Sequence, residues 1–80
     1  MVEIIYDPEF KRNFQKLKNK ETKDRIIKQI AKIKNNPDIG KPMRYGRKGT
    51  RELYITPWRL SYCVEGEMIY ILALYHKDTQ

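Results

Sequence analysis

Cysteine is nearly absent from this chain. The single Cys63 has no partner for an internal disulfide and excludes a Cys-rich metal centre. Its place in an apolar stretch suits a small buried side chain. Long hydrophobic runs are also missing, since no stretch approaches the roughly 20 apolar residues that span a bilayer as a helix. Met1–Tyr6 carries no signal-like apolar run, so a cytoplasmic location without membrane contact is expected. Repeats, low-complexity tracts and linkers are lacking, which makes residues 1–80 one domain. A chain this short buries only about 60–65% of the surface its unfolded form exposes. A deep cavity for a large cofactor is therefore not expected, no metal is implied, and an active site should be an open groove.

What is abundant is positive charge. Lys and Arg total 17 against 10 Asp and Glu, a net charge of +7 with pI near 9.6. Such a surplus favours polyanions and speeds encounter with them. An acidic protein partner would neutralise it equally well, and lysines also serve solubility alone.

Val2–Tyr6 has the branched and aromatic content of a strand. Asp7-Pro8 then signals a helix start, with Asp7 as cap and Pro8 at the first helical position. Phe10, Phe14 and Leu17 form one apolar stripe on a helix expected to end near Asn19. A second helix should begin between Asn19 and Thr22. Its inward face would be Ile26, Ile27, Ile30, Ala31 and Ile33 or Lys34, and Asn35-Asn36-Pro37 should stop it. Residues 39–50 read as a loop carrying Lys41, Arg44, Arg47 and Lys48, either a solvated connector or an arm on phosphate. Three strands follow: Arg51–Ile55, Trp58–Val64 and Glu67–Tyr75. The expected fold class is α+β, a small antiparallel-rich sheet with an N-terminal αα-hairpin packed on one face, in the order β-α-α-β-β-β.

Strand alternation sorts the side chains by face. Trp58, Leu60, Tyr62 and Val64 should meet the helices, leaving Arg59, Ser61 and Cys63 on the open side. If Thr56-Pro57 makes a two-residue connection, Tyr54 lies opposite Arg59, Glu52 opposite Ser61 and Leu53 opposite Leu60. If Glu65-Gly66 closes a two-residue hairpin, Arg59 pairs with Leu72. His76 then shares Arg59's face, about 13 Å further along by strand rise. A three-residue loop at either turn would reverse this parity. The open face would gather Glu52, Tyr54, Arg59, Ser61 and His76. Arginine binds phosphate bidentately and stabilises charge on a pentavalent phosphorus. An imidazole can carry a proton to or from a ribose oxygen, with Glu52 or Tyr54 completing the transfer. Each residue also has a plainer role: Arg59 pairing with Glu52, Tyr54 as packing, His76 as an exposed bystander.

Gly49-Thr50-Arg51-Glu52-Leu53-Tyr54-Ile55, then Trp58-Arg59-Leu60-Ser61-Tyr62 and the closing Leu74-Tyr75-His76-Lys77-Asp78, resemble the signature of RelE/ParE toxins. Gly40-Lys41-Pro42-Met43 resembles the family's Gly-x-Pro-Leu approach, and the resemblance spans essentially the whole chain. It implies the toxin of a type II toxin–antitoxin system, bound by a small cognate antitoxin in a hetero-oligomer. RelE-like and YoeB-like members cleave mRNA on the ribosome through the 2′-hydroxyl without a metal, and ParE-like members inhibit DNA gyrase. The likeness makes Arg59 the phosphate contact and His76 the proton-transfer group, and sets Lys77 near the family's basic tail position; Glu52 and Tyr54 stay catalytic candidates from the open-face reading alone. Arg44, Arg47, Lys48, Arg51 and Lys77 become RNA-binding candidates. RelE-like enzymes carry lysines where Glu52 and Tyr54 stand here. The expected function is thus a ribosome-dependent mRNA endoribonuclease, alternatively a gyrase inhibitor or a homologue that only binds its antitoxin.

Overall fold

A computed structural model describes residues 2–43 and 49–79. Strand β1 (Glu3–Tyr6) leads into helix α1 (Pro8–Lys16), where the Asp7 side chain accepts a hydrogen bond from the Glu9 amide and Pro8 opens the first turn. This helix stops at Lys16, short of Asn19. Asn19 must stay extended because its side chain caps helix α2 (Lys20–Asn35) by accepting from the Thr22 amide. Asn36 closes α2, its own amide donating to Lys32 O, and its side chain starts a 3-10 turn over Pro37–Ile39.

The inward stripe of α2 is narrower than expected. Ile26, Ile30 and Ile33 are buried, whereas Ile27 is 54% exposed and Ala31 is exposed as well. Successive residues turn by about 100° around a helix, so a stripe at i, i+4, i+7 leaves its neighbours on the flank.

The sheet is five-stranded in the order β1-β5-β4-β3-β2, with β2 Lys41–Pro42, β3 Thr50–Ile55, β4 Trp58–Glu65 and β5 Met68–His76. Strand β1 runs parallel to β5 and the other pairs are antiparallel. The fold class is the expected α+β, with one addition: the segment read as loop contains β2, whose Lys41 pairs with Glu52 and Pro42 with Arg51. The β3–β4 register is the predicted one, with Leu53 opposite Leu60, Glu52 opposite Ser61 and Tyr54 opposite Arg59.

The β4–β5 register differs in two ways. The turn residues are Gly66 and Glu67, between paired Glu65 and Met68, and Gly66 takes the left-handed φ of 59° that a tight hairpin favours. Further along, the pairing slips between Ser61 and Tyr62: Tyr62 faces Ile71, but Ser61 faces Ala73. This bulge puts one extra residue, Leu72, into β5.

One face of the sheet packs on the helices. Leu60, Tyr62, Ile69, Ile71, Leu74 and Ile55 meet Phe10 and the three buried isoleucines of α2. Trp58 packs at the margin of this core, and Val64, expected to join it, is 36% exposed near the end of β4. Tyr62 is fully buried despite its hydroxyl because both ends of that group are used. The phenol donates to Pro37 O at 2.7 Å and accepts from the Gly40 amide at 2.8 Å. A Cβ on Gly40 would come within 2.5 Å of that oxygen, so only glycine fits this approach.

Candidate functional site on the open sheet face

Antiparallel partners point to the same side of a sheet. The pairs Tyr54–Arg59 and Arg59–Tyr75 therefore place those three side chains on the open face, with Glu52 one step away opposite Ser61. The contacts agree. Arg59 Nη1 lies 3.7 Å from Glu52 Oε1, Tyr75 Oη donates to Glu52 Oε2, and the Arg59 guanidinium carbon sits 5.6 Å from the Tyr54 ring centre. Glu52 is only 9% exposed, while Tyr54 is 52% exposed. The result is a sequestered carboxylate gripped by an arginine and a phenol, with an open aromatic ring at its edge. Cys63 shares this face, and burial, with Glu65 adding to it, pushes its thiol above the usual value.

His76 is not among them, which corrects the expected geometry. It pairs with Trp58, whose ring it meets edge-on at 5.2 Å between centroids, on the helix side of the sheet. Its Nδ1 accepts from the Asp78 amide at 3.2 Å and lies 3.7 Å from Asp78 Oδ2. The turn correction alone would have kept His76 on Arg59's face, because it moves the pairing by an even number of residues. The bulge adds one, and a shift of one reverses the face.

Arg51 also lies on the covered side, opposite the buried Tyr62. Its guanidinium donates to Gly40 O at 2.7 Å and Asp38 O at 3.2 Å, and pairs with the Asp38 carboxylate at 3.4 Å. These contacts make it a strap across the turn ahead of β2. Lys77 is exposed, with its amide donating to Pro57 O. Arg44, Arg47 and Lys48 lie outside the described residues. Tyr75 was missed by sequence reasoning, since its place beside Arg59 follows only from the bulge. Among the described residues, no group of three or more His, Cys, Asp or Glu side chains could hold a metal ion.

The charge is unevenly placed. Residues 8–35, the helical hairpin, hold ten of the 17 basic and three of the ten acidic residues, which accounts for the whole surplus of seven. The rest of the chain holds seven of each.

This fold is that of known toxins. The RelE chain of the intact E. coli RelBE toxin–antitoxin complex superposes with a TM-score of 0.80 at 15% identity, covering 95% of this chain and 96% of that one. A YoeB/ParE toxin from Agrobacterium tumefaciens gives 0.81 at 12% identity, covering 94% and 98%. The YoeB–YefM complex from Staphylococcus aureus gives 0.76 at 22% identity, covering 95% and 98%. No curated protein matches the chain to a significant degree. The model of the ParE toxin of type II toxin–antitoxin systems matches residues 4–80. The chain belongs to that family, within the wider RelE/ParE superfamily.

Proposed function

We propose that this toxin inhibits its target by binding it, not by an Arg59–His76 cleavage pair, and that the target is DNA gyrase, as the ParE branch implies. One observation carries the reading: Arg59 and His76 project from opposite faces of the sheet, so the two cannot close on one RNA linkage. Two further facts support it. Arg59 is already paired with Glu52, which weakens its pull on an added phosphate. The chain's whole positive surplus also lies within residues 8–35, the helical hairpin, so the strongest pull on a polyanion comes from that segment. A small cognate antitoxin would hold the toxin inactive in the cytoplasm, as the solved toxin–antitoxin complexes of similar fold support for the partner.

A second reading has its own observation. Glu52 sits between Arg59 and Tyr75, which would suit a base taking the 2′-hydroxyl proton beside a phosphate-holding arginine. That would make a metal-free, ribosome-dependent mRNA endoribonuclease in which His76 has no part. Two assays on the purified toxin separate these readings: gyrase supercoiling, and mapping of mRNA 5′ ends in a translating extract. The binding reading expects blocked supercoiling and no new 5′ ends. New 5′ ends that vanish in Glu52→Gln but persist in His76→Ala, with supercoiling intact, would replace it with the nuclease.

A further inference from the structure

On the open face, the half-exposed Tyr54 ring stands beside an arginine that is held on two sides. The Arg59 guanidinium carbon lies 5.6 Å from the centre of that ring, and Nη1 lies 3.7 Å from Glu52 Oε1. Tyr75 donates to the other oxygen of the same carboxylate, so the row Tyr75–Glu52–Arg59–Tyr54 runs from a nearly buried group out to an exposed ring. Side chains held in this way have little freedom left to lose on binding. Level with Glu52 stand Ser61 and Ala73, both small, which leaves room beside the guanidinium for an incoming side chain. The register adds a residue that a loop reading hides. Lys41 of β2 pairs with Glu52, and antiparallel partners share a side, so this exposed lysine belongs to the open face. Its place is fixed from the covered side: the Gly40 amide donates to Tyr62 Oη, and the Gly40 carbonyl accepts from Arg51.

We propose that the open face docks the toxin's protein target, with Tyr54 and Arg59 at the centre of the contact and Lys41 at its rim meeting a carboxylate. The proposal rests on the reading of the chain as a toxin that acts by binding, and it names the surface that reading leaves open. Tyrosine and arginine in a rigid setting are the side chains that dominate protein interfaces. Glu52 offsets the charge of Arg59, so the pair offers a flat ring and directed N–H groups more than a field. A folded protein surface presents the acceptors and apolar faces that match such a pair, whereas a phosphate backbone is read chiefly by charge. Lys41, on the outermost strand, is placed as a rim charge, which acts on encounter and orientation. The net charge of +7 favours an acidic target surface whichever face meets it.

The test measures binding of the full chain to purified gyrase, and growth arrest when the chain is expressed alone. The variants are Tyr54→Ala, Lys41→Glu, Lys41→Gln and Lys32→Glu, the last changing net charge as Lys41→Glu does but on the exposed side of α2. Each alters an exposed residue, and circular dichroism checks that each keeps its fold. Tyr54→Ala should lower affinity for gyrase about tenfold or more. Lys41→Glu should slow association about threefold or more at low salt, with Lys41→Gln and Lys32→Glu both smaller. Tyr54→Ala and Lys41→Glu should also relieve growth arrest. Unchanged affinity in Tyr54→Ala, or equal losses in Lys41→Glu and Lys32→Glu, would overturn the proposal. If the wild-type chain does not bind gyrase, the gyrase assignment fails and growth arrest decides. Arrest that survives both Tyr54→Ala and Lys41→Glu then overturns the docking surface too, whereas arrest that they relieve, with transcripts intact, supports it for another protein target. New mRNA 5′ ends that disappear with Tyr54→Ala would overturn it in favour of RNA on this face. A chain that neither binds gyrase nor arrests growth overturns both readings.

Discussion

The helical layer and the open face of the sheet handle charge in opposite ways. On the helices, lysines stand in solvent around an apolar groove and no equal number of acids answers them. On the sheet, Arg59 pairs with Glu52, Tyr75 donates to the same carboxylate, and Glu52 is nearly withdrawn from water. Among the described residues, long-range attraction therefore centres on the helical hairpin, because an unbalanced charge set projects a field beyond its own contacts. Short-range, directional chemistry belongs to the sheet. A basic net charge says nothing about which face binds a polyanion or an acidic partner until the charges are placed.

The contrast between the two faces can be broken by substitution. The largest effect is expected from Leu60→Ala on the covered face, where a fully buried side chain leaves a cavity costing about 2–5 kcal/mol. Tyr54→Ala on the open face should cost only about 0.5–1 kcal/mol, the worth of an exposed cation–π contact. Urea unfolding measures both, and similar losses would mean that the open face is packed as tightly as the core.

A middle-sized effect concerns Tyr62. Tyr62→Phe leaves the buried Gly40 amide without its acceptor, which costs about 1–3 kcal/mol at neutral pH. Burial raises the phenol's pKa, opposed in smaller measure by the Gly40 hydrogen bond and Arg51. A raised value favours the neutral hydroxyl, so the contribution is complete below the unfolded pKa of about 10 and is lost as pH climbs through the folded value. Wild-type and Tyr62→Phe unfolding midpoints should accordingly converge above pH about 10. A gap that stays constant with pH would show that the hydroxyl does not titrate with unfolding.

The smallest effect is the most diagnostic for function. Arg59→Ala and His76→Ala stand on opposite faces, so their effects on stability should add to within about 0.5 kcal/mol. Arg59→Ala and Glu52→Ala share an ion pair and should couple by about 0.5–3 kcal/mol. Coupling between Arg59 and His76 as strong as that between Arg59 and Glu52 would return the histidine to the arginine's site.

Much of the frame was legible in the residues themselves. Asp7-Pro8 started α1, Asn19 divided the helices, Asn36-Pro37 ended α2, and the Thr56-Pro57 link put Tyr54 beside Arg59. These are local effects, set by capping hydrogen bonds, proline's missing amide and the period of two along a strand. Tertiary structure decided the rest. The bulge that carries Tyr75 to Arg59 and His76 to Trp58 has no signal in Ser61-Tyr62 or in Leu72, because a bulge is settled by how a strand fits its partner and the helices beneath. Arg51 became a strap because Asp38 and Gly40 folded over it, and Ile27 stayed outside because the packed stripe of α2 runs through Ile26, Ile30 and Ile33 and leaves it on the flank. Local chemistry sets which elements form. Which side chains share a face depends on a one-residue offset that only the packed sheet can fix.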